Sequence, residues 1–464
     1  MEDPALRNEI LEIVGPDAVT FAGSHHPDDL HDESLHAAHV EPFAVVRPSN
    51  TRQVSELAKF ASRHGVPVTP RGSGTGLSGA ATPVPGGLVI SFSRMNQLLE
   101  LDADDHVAVV QPGITLRELN EEIAASGLRF PVYPGETSAS LGGNVNTNAG
   151  GMRAVRHGVT RQHVLGLELV LIDGTIVRTG ARVMKSSSGY DLTQLVVGSE
   201  GTLALVTEVT LRLSPQLAYA ATILVPFRDL EAVTRVVPTL LASGLEPSIL
   251  EYLDVVTMAG ITNAASLALG VDPQIAEQTA AYLIIVLETR APEQLDNDLE
   301  ALAHELEKAG ALDVYVLSHT AGVRLIEARE QSFWVAKAAG ANEIVDVVVP
   351  RSCVARFLAE ASVIAQRYGA LVTGCGHVGD GNVHMSVFLA NDEERRAMLF
   401  ELFSLGLGLG GLISGEHGIG RDKQAPYLEL TDPTLLALQR KIKDVFDPQQ
   451  LLNPYRVLDG RPLP

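Results

Sequence analysis

Four residues near the end of the chain have the types and spacing to do chemistry. His377 and His384 bracket the run GHVGDGNVH (residues 376–384), and Glu416 and His417 sit between glycines in GEHGIG (residues 415–420). Residues 383–389 read as a strand. A period of two puts Asn382, His384 and Ser386 on one face and Val383, Met385 and Val387 on the other. The tight turn over 378–381 lets His377 return towards His384, and the glycines around Glu416 and His417 let a loop aim both side chains. Two imidazoles and one carboxylate suit Zn²⁺, Mn²⁺ or Fe²⁺ with coordination positions left open, as in a catalytic site. The spacing is neither HExxH nor that of a zinc finger. On these residues alone, histidines hydrogen-bonded within loops stay open as the alternative.

Two further glycine-rich stretches lie upstream. Residues 74–79 (GTGLSG) formally match the GxGxxG dinucleotide fingerprint, which needs a helix to begin at the loop. Here Pro83 and Pro85 exclude one. No GK[ST] follows, so the loop is not a nucleotide P-loop either. It still suits an anion, because successive glycines free backbone N–H groups to form a concave nest, and Ser73, Thr75 and Ser78 add hydroxyls. The second stretch, PGETSASLGGNVNTNAGG (residues 134–151), is dense in glycine, asparagine and hydroxyls. It offers little apolar surface, so a ligand rich in carbonyls, ring nitrogens and phosphates is expected to order it.

The elements that must position these loops follow from periodicity. Residues 51–64 read as a helix with Val54, Leu57, Ala58 and Ala61 on one face, ended by Gly65. Strands are expected at 66–69, 87–92 and 106–110, and a helix at 114–126. A hairpin is expected over 166–178, with Asp173-Gly174 at its turn, and a strand pair or long strand at 202–213. From residue 220 strands alternate with long helical patterns. Strands are expected at 220–225, 280–288, 313–317, 345–349, 370–373 and 383–389, and helices at 229–243, 292–309, 352–368 and 393–407.

At 464 residues two or three domains are expected. A formal net charge of −21 argues against nucleic acid and against an anionic membrane surface. The first nineteen residues lack the basic stretch and apolar core of a signal peptide, and a cytoplasmic location is expected. The two cysteines, Cys353 and Cys375, cannot ligate an iron–sulfur cluster alone.

Taken in order, PRGSGTGLSG (70–79), PGETSASLGGNVNTNAGG, HGVTRQH (157–163), SSGYDLTQLVVGSEG (187–201), GHVGDGNVH, GEHGIG and FDPQQLLNPYRVL (446–458) closely resemble FAD-linked oxidases of the vanillyl-alcohol oxidase type. The nearest group comprises the glycolate oxidase flavoprotein subunit, D-lactate dehydrogenase and D-2-hydroxyglutarate dehydrogenase. The resemblance runs from about residue 41 to 457. It implies an α+β fold: a two-subdomain FAD-binding domain over 1–217, an α+β substrate (cap) domain over 218–400, and a C-terminal segment over 401–464 that returns to the flavin. It further implies that Pro70, Arg71, Gly72, Ser73, Gly74, Thr75, Gly76, Leu77 and Ser78 cradle the FAD pyrophosphate. Pro134, Gly135, Thr137, Ser140, Gly143, Asn144, Asn148, Gly150 and Gly151 would wrap the ribityl chain and flavin, with Glu200, Gly201 and Val206 on the adenine side. No histidine stands in the first loop for a covalent link, so dissociable FAD is expected.

For the third stretch the resemblance implies a divalent metal, Zn or Mn, held by His377, His384 and Glu416, with His417 acting on the substrate. It gives Arg329 the substrate carboxylate, with Tyr190 as a second candidate; the local alternative for Arg329 is a helix-surface charge paired with Glu327 or Glu330. The implied reaction oxidises a 2-hydroxy acid to the 2-oxo acid. No lysine stands two residues before Asp346 and Ser386 replaces an asparagine, both departures from the D-2-hydroxyglutarate enzymes. A small monocarboxylate such as glycolate or D-lactate is therefore expected, with a larger apolar side chain admitted by Phe333 and Trp334 as the alternative. Electrons must pass to an external acceptor, an iron–sulfur protein or a quinone-linked chain. Peripheral membrane association through a partner and a homodimer are admitted.

Overall fold

The computed structural model describes residues 4–37 and 39–461. The glycine loops of the N-terminal half hang from two small sheets. The first orders its strands Val19–Phe21, Ala44–Val46, Leu88–Ser91 and Val68–Arg71, the last three parallel. Parallel strands need crossovers. Helix Thr51–His64 supplies one: Asn50 caps its start by accepting from Gln53 N, and Gly65, left-handed at φ 64°, ends it. Its buried residues Val54, Leu57, Ala58 and Ala61 lie on the expected face, joined by Phe60. The strand Val68–Arg71 then delivers the chain into the first glycine loop.

The second sheet is antiparallel, in the order Leu98–Asp102, Val107–Val110, Leu205–Arg212, Val164–Val170, Ile176–Gly180. The hairpin turn is the expected Asp173-Gly174, with Asp173 Oδ1 accepting from Thr175 N and Gly174 at φ 84°. Val170, Ile172 and Leu205 pack into the first sheet's core beside Phe60 and Ile90 and so join the two sheets.

Residues 219–388 supply an antiparallel seven-stranded sheet, ordered Tyr315–Val316, Tyr219–Phe227, Ala281–Thr289, Ile249–Asp254, Leu371–Gly376, Asn382–Phe388, Glu343–Val348. The interior strand AYLIIVLET is almost wholly buried because both faces are covered. Helices Leu230–Ala242, Pro292–Lys308, Val354–Arg367 and Asp392–Gly408 pack on one face through Val233, Leu302, Phe357 and Met398. On the other, Met258 and Ile261 of helix Val255–Ala264 and Leu325 and Ala328 of helix His319–Glu330 meet Leu253, Ile284 and Cys375. This second face looks towards the glycine loops.

The chain then returns. Leu412 pairs with Val348 at the sheet edge (N···O 2.8 and 3.1 Å), and Gly415 N donates to Asp346 O at 2.9 Å. Near the end, Asn453 N donates to Val68 O at 2.7 Å, and its side-chain amide donates to Glu200 O and Ala80 O. Asn453, Tyr455 and Val457 all have positive φ, a local cost held in place by these contacts and by the fully buried Arg456. Among the described residues no helix is long and apolar enough to cross a membrane.

The second glycine stretch, expected to be ordered by a ligand, is ordered in part by the protein's own core. Residues Leu141–Thr147 make a helix, capped by Ser140 accepting from Gly143 N. Its Leu141 and Val145 are fully buried in the second sheet's core, the apolar anchorage that the composition of the stretch concealed.

Candidate active site

One cavity of about 620 Å³ lies between the glycine loops and the second face of the seven-stranded sheet. Its floor is built by register. Cys375, His384 and Asp346 are directly paired across three adjacent strands, so their side chains share one face. His377 follows the end of its strand, and its carbonyl accepts from Asp380, Gly381 and Asn382, closing the turn that brings it beside His384. The two rings meet edge-on with centroids 4.9 Å apart, and His417 stacks on the far side of His384 at 5.1 Å.

Donor atoms converge in two overlapping groups, His377, His384, Glu416 and Asp346, His384, His417, each with its ligand atoms within 4.8 Å of one another. Hydrogen bonding distinguishes them. Asp346, wholly buried, accepts from Asn382 Nδ2 (3.0 Å), Ser414 Oγ (2.6 Å), Glu416 N (3.2 Å), His417 N (2.9 Å) and Lys423 Nζ (3.4 Å). It fastens the GEHGIG loop to the sheet: Oδ2 accepts four of these bonds, and Oδ1, which accepts only from Asn382, faces His384 Nδ1 at 3.6 Å. The other group is open. His384 Nδ1 is buried without a hydrogen-bond partner. His377 Nε2 and His384 Nε2 face Glu416 Oε2 at 3.3 and 3.7 Å. The His377 Nδ1 side is held by Glu251, giving the carboxylate–histidine arrangement that orients metal-ligating imidazoles. The donor set of His377, His384 and Glu416 thus fits a divalent ion.

Charge follows from burial and neighbours. Burial opposes a charged His377, but Glu251 and Glu416 outweigh it and hold its pKa well above the usual value; the same two carboxylates favour positive charge at this position. His384 is pushed down to about 3 by burial and by its two histidine neighbours. Burial likewise depresses His417 to about 4, against the pull of Asp346, leaving it a neutral imidazole. His417 Nδ1 is 3.9 Å from Asp346 Oδ2, and Nε2 is the nitrogen free to meet a ligand.

On the opposite wall the two glycine loops touch. Ser73 N donates to Ser140 Oγ at 3.2 Å, and a Cβ on Gly72 would stand 2.0 Å from that oxygen. Asn144 Nδ2 is buried at this wall without a partner. Glycine backbone laid open and an orphaned amide fit a ligand carrying phosphates and ring carbonyls.

Comparison with known proteins agrees with this division of labour. A model described as "FAD binding domain" matches residues 42–180, and one described as "FAD linked oxidases, C-terminal domain" matches residues 216–457. The chain belongs to the FAD-linked oxidase family. It is 51% identical over 96% of both chains to an uncharacterized FAD-linked oxidoreductase of Mycobacterium tuberculosis H37Rv. It is 38% identical to the D-lactate dehydrogenase of Archaeoglobus fulgidus (90% of this chain, 92% of that one) and 37% to the glycolate oxidase subunit GlcD of Bacillus subtilis (89% and 88%). The structure of p-cresol methylhydroxylase superposes with TM-score 0.81 over 98% of this chain and 96% of that one, at 18% identity, which shows the vanillyl-alcohol oxidase type of fold.

Within this FAD-linked oxidase most of the expected residues line the cavity: Pro70 to Leu77, Pro134, Gly135, Ser140, Gly143, Asn144, Gly150, Glu200, Gly201 and Val206, together with Arg329, His377, His384, Glu416 and His417. Several are employed otherwise. Ser78 faces away and donates to the carbonyls of His417 and Gly418 (3.0 and 3.1 Å). Thr137 accepts from Arg117, and Asn148 caps a helix end and accepts from Arg161 N. Gly151 N donates to Glu416 Oε1 and so aims the expected metal ligand. Arg71 extends its guanidinium to the carbonyls of His31 and Asp28, and the Glu200 carboxylate accepts from Ile419 N (2.8 Å) and Gly420 N (2.7 Å). Tyr190 does not line the cavity. It is 96% exposed in a surface loop, and the expectation that it holds substrate is withdrawn.

Arg329 is buried in the cavity wall, and its partner is neither Glu327 nor Glu330. Nε and Nη2 lie 3.0 and 2.7 Å from Glu251 Oε2, and Nη1 donates to Ser332 at 3.0 Å. The Nη2 contact is an ion pair without hydrogen-bond geometry, which leaves that donor for a ligand. Glu251, Asp346 and Lys423 are the site residues that sequence reasoning missed. A glutamate inside the apolar run ILEYLD and an aspartate inside EIVDVV were the available signals, because a carboxylate in a buried strand needs a partner.

Proposed function

We propose that this protein oxidises a 2-hydroxy acid of the glycolate or D-lactate type to its 2-oxo acid, using dissociable FAD and a divalent ion, and passes the electrons to an external acceptor. The observation that carries the reading is the convergence of His377, His384 and Glu416 beside neutral His417, on the cavity face opposite the glycine loops. Bound FAD would supply the acceptor for the hydride leaving C2, and the ion, Zn or Mn, the positive charge that lowers the hydroxyl pKa.

The residues of this chain do the rest. His377, His384 and Glu416 hold the ion, with Glu251 fixing the His377 tautomer. Arg329, anchored by Glu251 and Ser332, turns Nη2 to the substrate carboxylate. His417 accepts the hydroxyl proton at Nε2, and its depressed pKa keeps it free to do so at neutral pH. Burial, seconded by Lys423, keeps this base weak enough to release the proton, while Asp346 stabilises the cation that forms. Both cysteines are free, and Cys375 is buried in the cavity wall. No ligand set for an electron-carrying cluster is thereby offered, which supports the external acceptor. The alternative of a D-2-hydroxyglutarate dehydrogenase is disfavoured, because among the described residues the substrate side of the cavity presents no lysine or arginine beyond Arg329 for a second carboxylate. The test is anaerobic flavin bleaching by a panel of D- and L-2-hydroxy acids, with and without chelator. Bleaching by D-lactate or glycolate supports the reading, and a flavin untouched by every hydroxy acid overturns it.

A further inference from the structure

The floor of the cavity continues past the catalytic row. Strand pairing sets Thr373 opposite Ser386 and Ile344 opposite Ser386 from the other side, then Leu371 opposite Phe388. With side chains alternating, Ser386 and Phe388 share the face of His384, at steps of about 7 Å along the strand. All five residues line the cavity, and so do Phe333 and Trp334 from the helix Ser332–Ala338 above. Leu371 is 57% and Trp334 37% exposed, which marks this end as the mouth. The floor therefore grades from ionisable to hydroxylic to apolar on its way to solvent. None of these lining residues is charged. Lys337 lies over the Phe333 and Trp334 rings and is paired with Glu33 at 2.9 Å.

We infer that this corridor receives the side chain of the substrate, and that the preferred 2-hydroxy acid carries an unbranched apolar tail of medium length. The inference rests on the 2-hydroxy-acid reading, which fixes the carboxylate and hydroxyl at Arg329 and the histidines and leaves the tail to run along the strands. A tail of roughly six carbons, advancing about 1.3 Å per bond along a zigzag, spans about one of these steps, passing the Thr373–Ser386 row and pointing its end towards the Leu371 and Phe388 side chains. Each methylene buried there contributes about fourfold to kcat/KM. Glycolate and D-lactate occupy only the catalytic end.

Two readouts test this on the FAD-loaded protein. The first is kcat/KM for D-lactate, D-2-hydroxyhexanoate, D-2-hydroxyoctanoate and D-2-hydroxyglutarate with an artificial electron acceptor. The hexanoate and octanoate are expected to exceed D-lactate by at least about tenfold, and Phe388→Asp to reduce the octanoate-to-lactate ratio by a similar factor. Phe388→Ala serves if the aspartate variant does not fold. The second readout needs no turnover. Trp334 is the single tryptophan of the chain, so 2-oxooctanoate should change its emission saturably where pyruvate does not. If D-lactate bleaches the flavin but rate is flat or falls with chain length, or if D-2-hydroxyglutarate is best, the tail assignment is overturned while the proposed function stands. If no hydroxy acid bleaches the flavin, both fall.

Discussion

At the residue scale the site is a chain of buried charges in which each group fixes the next. Glu251 holds both His377 and Arg329; Asp346 holds the loop that carries Glu416 and His417. Substituting His417 by Ala or Gln should lower flavin reduction by about 10²- to 10⁴-fold while FAD stays bound, the usual worth of a general base. Asp346→Asn removes the carboxylate that pairs with Lys423. Breaking a buried pair this way costs about 3–5 kcal/mol, read as a lower Tm. The pH dependence has a definite sign. His417, depressed to about 4, stays unprotonated well below the ordinary histidine range. The acid limb of kcat/KM should therefore lie nearer pH 4 than 6.5, and a limb at 6.5 that Lys423→Met does not move would contradict the electrostatics. Glu330 is a separate case. Burial raises it to about 7, and its Oε1 has no partner. The folded protein holds that proton where the unfolded chain has lost it, so stability falls as pH rises from about 4.5 through 7. Glu330→Gln should raise Tm at pH 8 and leave it nearly unchanged at pH 4.

At the scale of elements, the glycine loops work by close approach. Alanine at position 72 would place a methyl group on Ser140 Oγ. G72A should purify with a reduced ratio of flavin to protein absorbance, and S140A should restore part of it by removing that oxygen. Much of this layer was legible in sequence. The helix over 51–64 with its glycine stop, the Asp173-Gly174 hairpin and the His384 strand follow from period and turn chemistry that neighbours do not alter. What escaped had its cause elsewhere in the chain. The helix Leu141–Thr147 is carried by two apolar residues among glycines and asparagines, and only the second sheet's core gives them a place. The helices Val255–Ala264 and His319–Glu330 have weak amphipathic patterns because apolar Val255, Val256 and Val323 sit on their exposed sides while Met258, Ile261, Leu325 and Ala328 meet the sheet. Arg329, Glu251 and Tyr190 show the same limit. Motif position placed Arg329 at the site, but its partner lies 78 residues away, and motif position alone put Tyr190 where the surface loop does not take it.

At the scale of the whole molecule, the cavity exists only because two bodies of secondary structure are clamped together. Arg129, on the short strand Leu128–Arg129, makes a two-pronged pair with Glu288 of the interior cap strand at 2.8 and 2.6 Å, and Arg156 donates to the Glu288 carbonyl. His157 lies inside this cluster. Burial, then Arg129 and Arg156, push its pKa down to about 4. The unfolded chain binds a proton near 6.5 that the folded chain refuses until about 4, so this group lowers stability as pH falls through that window. His157→Gln should flatten the loss of Tm between pH 7 and 5. The C-terminal return, through Asn453 and the GEHGIG loop, joins both bodies to one site, and that is why the residues of a single centre are spread from position 70 to 453. The central claim is that a metal-held hydroxy acid is oxidised against the flavin, and it is tested most directly by anaerobic flavin bleaching with D-lactate before and after chelation. The expected result is bleaching that chelator abolishes and Zn²⁺ or Mn²⁺ restores. Equal bleaching in the chelated protein, with His377, His384 and Glu416 intact, would contradict it.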